Sequence, residues 1–340
     1  MGTLKQALRA ALASRRLTWL GVPLTRGGLC ILTFHRFGSN TLTGMRGMDP
    51  DLLDAVLSRL RRDGYRLVDL RAAADAIERA EKLSPRSVVF TVDDGYADFE
   101  QGAEVFLHHG CPVTVFLTTG FIDGAMWLWW DELEYCCLNA PAGEYSVKGG
   151  PDVIALTGDE PEFRISTAER LWEYCKLIAE PEKQRFIKEL ADATGVSLPR
   201  RPLDAYAPLT WDKIRLLEDA GIRFAPHTVT HPILSRVDNR QAEFEITESW
   251  RRVQQEVGQP TPFLAYPNGK PEDFGEREFR ILGAAGLVGA VTTTPGYASN
   301  ALYRESPSGR FTLPRLGRPR DPDDACLKVC GFDRLPRPWR

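Results

Sequence analysis

Short apolar runs alternate along this chain with amphipathic stretches of helical period. Runs of strand length are Leu29–Phe34, Arg66–Val68, Val88–Val92, Val113–Leu117, Ile222–Ala225, Phe263–Ala265 and Gly289–Thr292. Helical patterns lie between most of them, over Pro50–Asp63, Arg71–Glu81, Asp98–His109, Trp211–Ala220, Asp238–Val257 and Glu272–Ala284. Gly64, Gly110, Gly221 and Gly286 follow helical segments and suit left-handed caps. Alternation on this scale predicts βα units around a mostly parallel sheet.

One region breaks the rhythm. Between about 124 and 208 no strand is evident, and charged helical patterns such as Ser166–Ala179 and Pro181–Gly195 take over. It opens with a dense aromatic cluster, Met126 to Asp131, and reads as a helical insertion on a barrel of about seven strands. Trp127, Trp129 and Trp130 suit either a sugar-stacking platform or the attachment of the insertion to its core. The expected organisation is an amphipathic N-terminal region over 1–28, a barrel over 29–320 interrupted by the insertion, and a tail over 321–340 whose basic end is Arg334–Arg340.

Composition narrows the class. With 340 residues, 43% of them hydrophobic, the chain can bury a large core, and a formal charge of -3 gives no sign of a nucleic-acid partner. Seven cysteines in no regular framework suggest reduced thiols, and Cys136-Cys137 reads as helix packing. The first 21 residues are positive but lack the apolar core of a secretory signal, and no run of ~18 apolar residues is present. The expectation is a cytoplasmic protein, peripheral to the inner face of the membrane if the basic N-terminal helix lies on anionic lipid rather than across one end of the barrel.

Chemistry gathers at the strand ends. His35 follows the first apolar run, Asp93 and Asp94 the third, His227 and His231 the fifth, Tyr266 and Pro267 the sixth. In a parallel βα barrel these ends open on one face, where barrel enzymes place their sites. Adjacent carboxylates repel, and desolvating either is costly unless a cation or proton donor stands beside it. The i,i+4 pair His227 and His231 brings two imidazoles together on a turn, which Pro232 makes a loop rather than a helix. Two imidazoles and a carboxylate suit hydrolytic zinc with one position open for water. The tandem His108-His109 reads as structural, at a helix end before Gly110.

These stretches resemble one family. Thr91-Val92-Asp93-Asp94-Gly95 is similar to the T-F-D-D-G motif of polysaccharide deacetylases of the NodB-homology, carbohydrate esterase family 4 type. His227-Thr228-Val229-Thr230-His231-Pro232 resembles their H-[ST]-x-x-H-P motif, and Leu264 to Gly269 their A-Y-P-x-G segment. Ile31 to Arg36 resembles the Y-H-R opening of one branch. The resemblance implies a distorted (β/α)7 TIM-like barrel and a divalent metal, zinc first, with cobalt, nickel or manganese as other ions such donors accept. It further implies that Asp94, His227 and His231 hold the metal and that Asp93 is the general base. An oxyanion donor is expected in a backbone N–H near Tyr266 and Pro267, and substrate contact at Trp130.

The chain departs from the common pattern in two places. No histidine follows His231, so the proton donor to the leaving amine falls to His35, as in the Y-H-R branch. The family's base-orienting arginine is missing before Leu264, leaving Arg315 and Arg318 as substitutes. The implied activity is removal of N-acetyl groups from amino sugars in a polysaccharide or its lipid-linked precursor, with the N-acetylated glycan as partner and no obligate protein partner. Alternatives are a deformylase or deacetylase of a small or lipid-borne amino sugar, a hydrolase of nitrogen heterocycles, and a non-catalytic glycan-binding scaffold.

Overall fold

Every residue of the longer apolar runs is buried, as a sheet packed on both faces requires. The computed structural model describes residues 2–25, 27–38, 47–79, 81, 86–151, 153–158, 160–306 and 308–334. Its strands are β1 (Cys30–Phe34), β2 (Arg66–Leu67), β3 (Ser87–Val92), β4 (Val113–Leu117), β5 (Gly143–Tyr145), β6 (Ile154–Leu156), β7 (Arg223–Pro226), β8 (Phe263–Ala265), β9 (Gly289–Val291) and β10 (Leu316–Gly317). The main sheet is parallel in the order β10-β1-β3-β4-β7, and β8 pairs with β9. The ring between them is completed by single links: Thr261 N–H donates to Phe224 O at 2.8 Å, and Leu313 bridges to Val291. This is the expected distorted α/β barrel, with one exchange of members. The Arg66–Val68 run supplies only a two-residue strand beside the start of β3, and β10 takes its place in the ring. Arg66 is exposed and Leu67 half-buried, so β2 has little apolar surface to bury.

Side chains alternate across this ring with period two. Ile31, Val89, Phe116, Ala225, Ala265 and Val291 cluster together, joined by Leu70, Ala74 and Ile77 of helix Leu70–Glu78. Their neighbours Leu32, Phe34, Phe90, Val92, Val115 and Leu117 pack instead beneath helices such as Pro50–Arg62 and Phe99–His108. Those helices start where short polar side chains satisfy the free amides. Asp49 accepts from Asp51 and Leu52, Asp69 from Ala72, Thr210 from Lys213, and Asp238 from Gln241. The four glycines expected as caps all have positive φ.

The insertion has its own core. Helices Trp129–Asn139, Pro161–Cys175 and Glu180–Thr194 enclose Leu133, Cys136, Cys137, Leu171 and Phe186, tied to the barrel through Tyr96 and Phe121. It is not wholly helical: β5 and β6 form an antiparallel hairpin. Three-residue strands carry too little alternation to be read from sequence.

The segment from 321 onward, expected as a tail, is a packed helix over Pro322–Cys330. Asp321 caps it, and Ala325, Cys326, Leu327, Val329 and Cys330 are buried in the main core. Residues 335–340 of the basic end lie outside the described residues. The N-terminal helix Gly2–Leu12 packs on this helix through Arg9, whose Nη2 donates to both Asp321 oxygens at 2.7 and 2.6 Å. Among the described residues no helix is long and apolar enough to cross a membrane. All seven cysteines are free and buried.

Removing buried methyls from the C-terminal helix tests its place in the core. Leu327→Ala should lower unfolding stability by about 2–5 kcal/mol in urea titration, whereas a side chain on a loose tail would change it by only tenths.

Candidate active site

Register assembles the site before any side chain is considered. Phe34 lies opposite Val92 across β1 and β3, so His35 and Asp93 leave the sheet side by side, and Asp93 N–H donates to Phe34 O at 2.9 Å. Leu117 lies opposite Pro226 across β4 and β7, and His227 N–H donates to Leu117 O at 2.8 Å. Ala265 opposite Val291 brings Tyr266 to the same end. A cleft of ≈ 330 Å³ opens there, lined by His35, Asp93, Asp94, Trp130, His227, His231 and Tyr266 among others. A larger cavity of ≈ 600 Å³ lies at the starts of the strands, around Arg71, Cys111 and Arg223, and holds none of these groups.

The two carboxylates meet different partners. Asp93 receives a bidentate pair from Arg315, Nη1 to Oδ1 at 2.7 Å and Nη2 to Oδ2 at 2.6 Å. Arg315 is itself buried, its Nε donating to Thr292 O at 2.9 Å and its Nη1 also to Thr91 Oγ1 at 3.1 Å. The arginine paired with Asp93 is therefore Arg315, not Arg318. Burial would raise the Asp93 pKa, but the guanidinium outweighs it and holds the carboxyl well below the usual range. His35 Nε2 stands 3.8 Å from Asp93 Oδ2, with 38% of its side chain exposed to the cleft.

Asp94 has no such donor. Both of its oxygens are buried without a hydrogen-bond partner. Its Oδ1 lies 3.5 Å from His227 Nε2 and 3.6 Å from His231 Nε2, and the two ring nitrogens are 3.1 Å apart. His227 Nδ1 donates to Ala265 O at 2.7 Å, which fixes a proton there and turns Nε2 toward Asp94; burial works against charge on this ring, but the Asp94 contact outweighs it and raises its pKa. Burial, with His227 beside it, pushes the His231 pKa down to about 3, so that ring is neutral at pH 7. A carboxylate whose two buried oxygens lack a partner, converging with two imidazole Nε2 atoms, is a donor set that fits a divalent cation. A second such group, Asp54, His108 and His109, lies near the surface at a helix end, where His109 Nε2 meets Asp54 Oδ1 at 2.8 Å.

The loop carrying the histidines is held in an unusual backbone path. Among the described residues, the non-glycine residues with positive φ are Asp94 (76°), Thr228 (66°), His231 (57°) and Asn268 (58°), all at these strand ends. A β-branched residue such as Thr228 in that region costs on the order of 1–3 kcal/mol, so the surroundings must impose it. Glu245, buried in helix Asn239–Glu256, does so. Its Oε2 accepts from the Val229 and Thr230 amides at 2.7 and 2.8 Å, and its Oε1 from Thr230 Oγ1 at 2.6 Å. The sequence reading missed Glu245, whose only signal is an acid at a core-facing position of an amphipathic helix.

The remaining expected site residues divide. Trp130 does border the cleft, but its ring meets His231 edge-on at a centroid distance of 4.6 Å. Its Nε1 donates to Tyr96 Oη at 2.8 Å, which in turn donates to Asp131 Oδ2 at 2.7 Å. Trp129 and Trp172 line the cleft as well, whereas Trp127 packs on Tyr135 and Tyr206 inside the insertion. Tyr266 lines the cleft and stacks on Phe274 at 4.0 Å. Its amide is not available as an oxyanion donor, because it donates to Val291 O at 3.2 Å, and Pro267 has no amide hydrogen. The β8–β9 ladder uses that amide first, so a backbone donor near Tyr266 would come from a neighbouring residue of the loop.

The polysaccharide deacetylase family model matches residues 182–286, a stretch that contains His227, His231 and Tyr266. The fold is similar to that of the Streptococcus pyogenes deacetylase PplD in complex with acetate, at a TM-score of 0.57 and 17% identity, over 89% of this chain and 98% of that one. It is similar to IcaB from Ammonifex degensii at 0.55 and 14%, over 91% and 97%. A polysaccharide deacetylase from Bacillus cereus matches at 0.55 and 14%, over 89% and 69%. No curated protein sequence matches the chain.

Cutting the Asp93–Arg315 pair should be felt in stability. Arg315→Met leaves a buried carboxylate without its cation and should cost about 3–5 kcal/mol at pH 7. Because the folded Asp93 pKa lies below the ordinary ~3.9, the pair's contribution is complete above that pH and is lost as acid titrates the folded group. In the variant, burial is no longer outweighed and raises the Asp93 carboxyl, so the variant recovers stability as that group protonates, and the gap in urea unfolding should be widest near pH 7 and narrow as the pH falls toward ~4.

Proposed function

We propose that the chain is a polysaccharide deacetylase of the NodB-homology, carbohydrate esterase family 4 type, a metal-dependent hydrolase that removes N-acetyl groups from amino sugars of a glycan by cleaving a non-peptide amide C–N bond. The observation that carries this reading is the convergence of Asp94, His227 and His231 beside an ionised Asp93 and a cleft-facing His35.

Hydrolysis of an acetamide needs an acceptor for a proton of the attacking water and a donor for the leaving amine. Asp93 is the acceptor: Arg315 takes one lone pair from each oxygen, fixes the plane of the carboxylate and keeps it ionised. His35 is the donor, from a partly exposed ring that can recover its proton from solvent. Asp94, His227 and His231 would hold the divalent cation, which when bound acidifies water and polarises the acetyl carbonyl. A base weakened by its arginine suits such a site, since it need only accept a proton from water that is already acidic. Glu245 keeps both imidazoles on their strained loop, and Trp130 closes the wall behind His231.

Three measurements test the reading. Asp93→Asn should abolish most acetate release while leaving metal content unchanged by elemental analysis; near-normal turnover would remove it as the base. His35→Ala should lower kcat by about 10²–10⁴-fold, and an unchanged rate would leave the amine's proton to another donor. Glu245→Ala should weaken metal retention against a chelator by about 10–100-fold, the usual effect of losing a group that orients ligands.

A further inference from the structure

The cleft carries groups that amide hydrolysis does not use. Trp129, Trp172 and Lys176 reach it from the insertion, and Lys270 from the loop after β8. Trp172 and Lys176 are four apart at the end of helix Pro161–Cys175 and so share a face. Both lysines lie within electrostatic reach of Glu173, whose carboxyl is held below its usual range by the Lys176 contact first and by Lys270 with it. The two lysines therefore border one cleft, Lys176 from the insertion and Lys270 from the barrel.

The acids cannot balance them. Among the described lining residues only Asp93 and Asp94 are acidic; Asp93 is matched by Arg315, and Asp94 would be matched by the divalent cation it holds with the two imidazoles. Glu173 pairs with Lys176 at 2.6 Å, but its side chain is 67% exposed, and a contact so open to solvent is weak and easily exchanged. A neutral N-acetylated chain gains nothing from this charge, and its deacetylated product, a polycation, would be repelled. An anion beside the sugar would be drawn in.

We propose that the cleft takes an acidic glycan, in which the acetamido sugar or its immediate neighbour bears a carboxylate or phosphate that sits between Lys176 and Lys270. The sugar ring then packs against the tryptophan wall, and the insertion sets specificity rather than chemistry. This rests on the deacetylase reading for the orientation of the sugar, but its test does not require turnover.

Binding to the metal-loaded Asp93→Asn protein can be measured by calorimetry with three probes of matched length. One is a neutral N-acetylglucosamine oligomer, one an oligomer alternating N-acetylated sugar with hexuronic acid, and one a neutral oligomer ending in phosphate. At low salt one or both acidic probes should bind about tenfold more tightly than the neutral one, with the advantage shrinking as salt screens it; which of them does so identifies the anion. Lys270→Gln should reduce that ratio, and Glu173→Gln, which frees Lys176, should raise it. Equal binding of all three probes, or a ratio unmoved by either substitution, overturns the proposal. Acid-selective binding with no acetate released by the metal-loaded wild type would uphold the subsite and refute the deacetylase reading.

Discussion

Two neighbouring carboxylates, buried at one strand end, impose the requirements that the surrounding structure meets. Asp93 and Asp94 cannot both be desolvated as bare anions, and the fold answers each separately. Asp93 meets a guanidinium that is buried with it and held by Thr91 and the Thr292 carbonyl. Asp94, turned away by a backbone at φ 76°, meets two imidazoles whose Nε2 atoms converge on it. On the proposed reading, the same residue type one position apart serves as a proton acceptor in one case and a metal ligand in the other. The difference lies in the partners, as pairs of titratable groups in one site commonly show.

The insertion completes the site as well as bordering it. Arg36, next to His35, donates to Asp98 Oδ2 and to Ala205 O, both at 2.5 Å, and lies 3.9 Å over the Tyr96 ring. Tyr96 passes the connection to Asp131 and Trp130, and Trp130 reaches His231. These bonds link polar groups of the barrel to those of the insertion, and Arg36 Nη1 is the one guanidinium nitrogen they leave buried without a partner. Burial keeps the Asp131 carboxyl well above its ordinary range, which Arg36 and Tyr96 only partly oppose. The proposed functional consequence is a cleft whose chemical floor comes from the barrel and whose walls come from an element outside the barrel's repeat.

Most of the architecture was legible because period and punctuation are local. Val88–Val92 and Val113–Leu117 are strands near the expected ends, helices cap where Asp or Thr precedes them, and Gly64, Gly110, Gly221 and Gly286 turn with positive φ. What failed was weak in the same local signals. β2 carries too little apolar surface for the ring, β5 and β6 are too short to alternate, and the helix at Pro322–Cys330 was hidden among charged residues that read as a tail.

The same division runs through the site. The order of polar residues after strands, and the motifs they spell, named Asp93, Asp94, His227 and His231 from the chain alone, since a parallel sheet sends every strand end to one face. Only the tertiary structure chose Arg315 over Arg318, committed the Tyr266 amide to the β8–β9 ladder, found Glu245 beneath the histidine loop and turned Trp130 edge-on to His231. Each of those outcomes depends on which groups remain unpaired once the barrel closes. That is a property of distances across the fold, which neighbours in sequence do not encode.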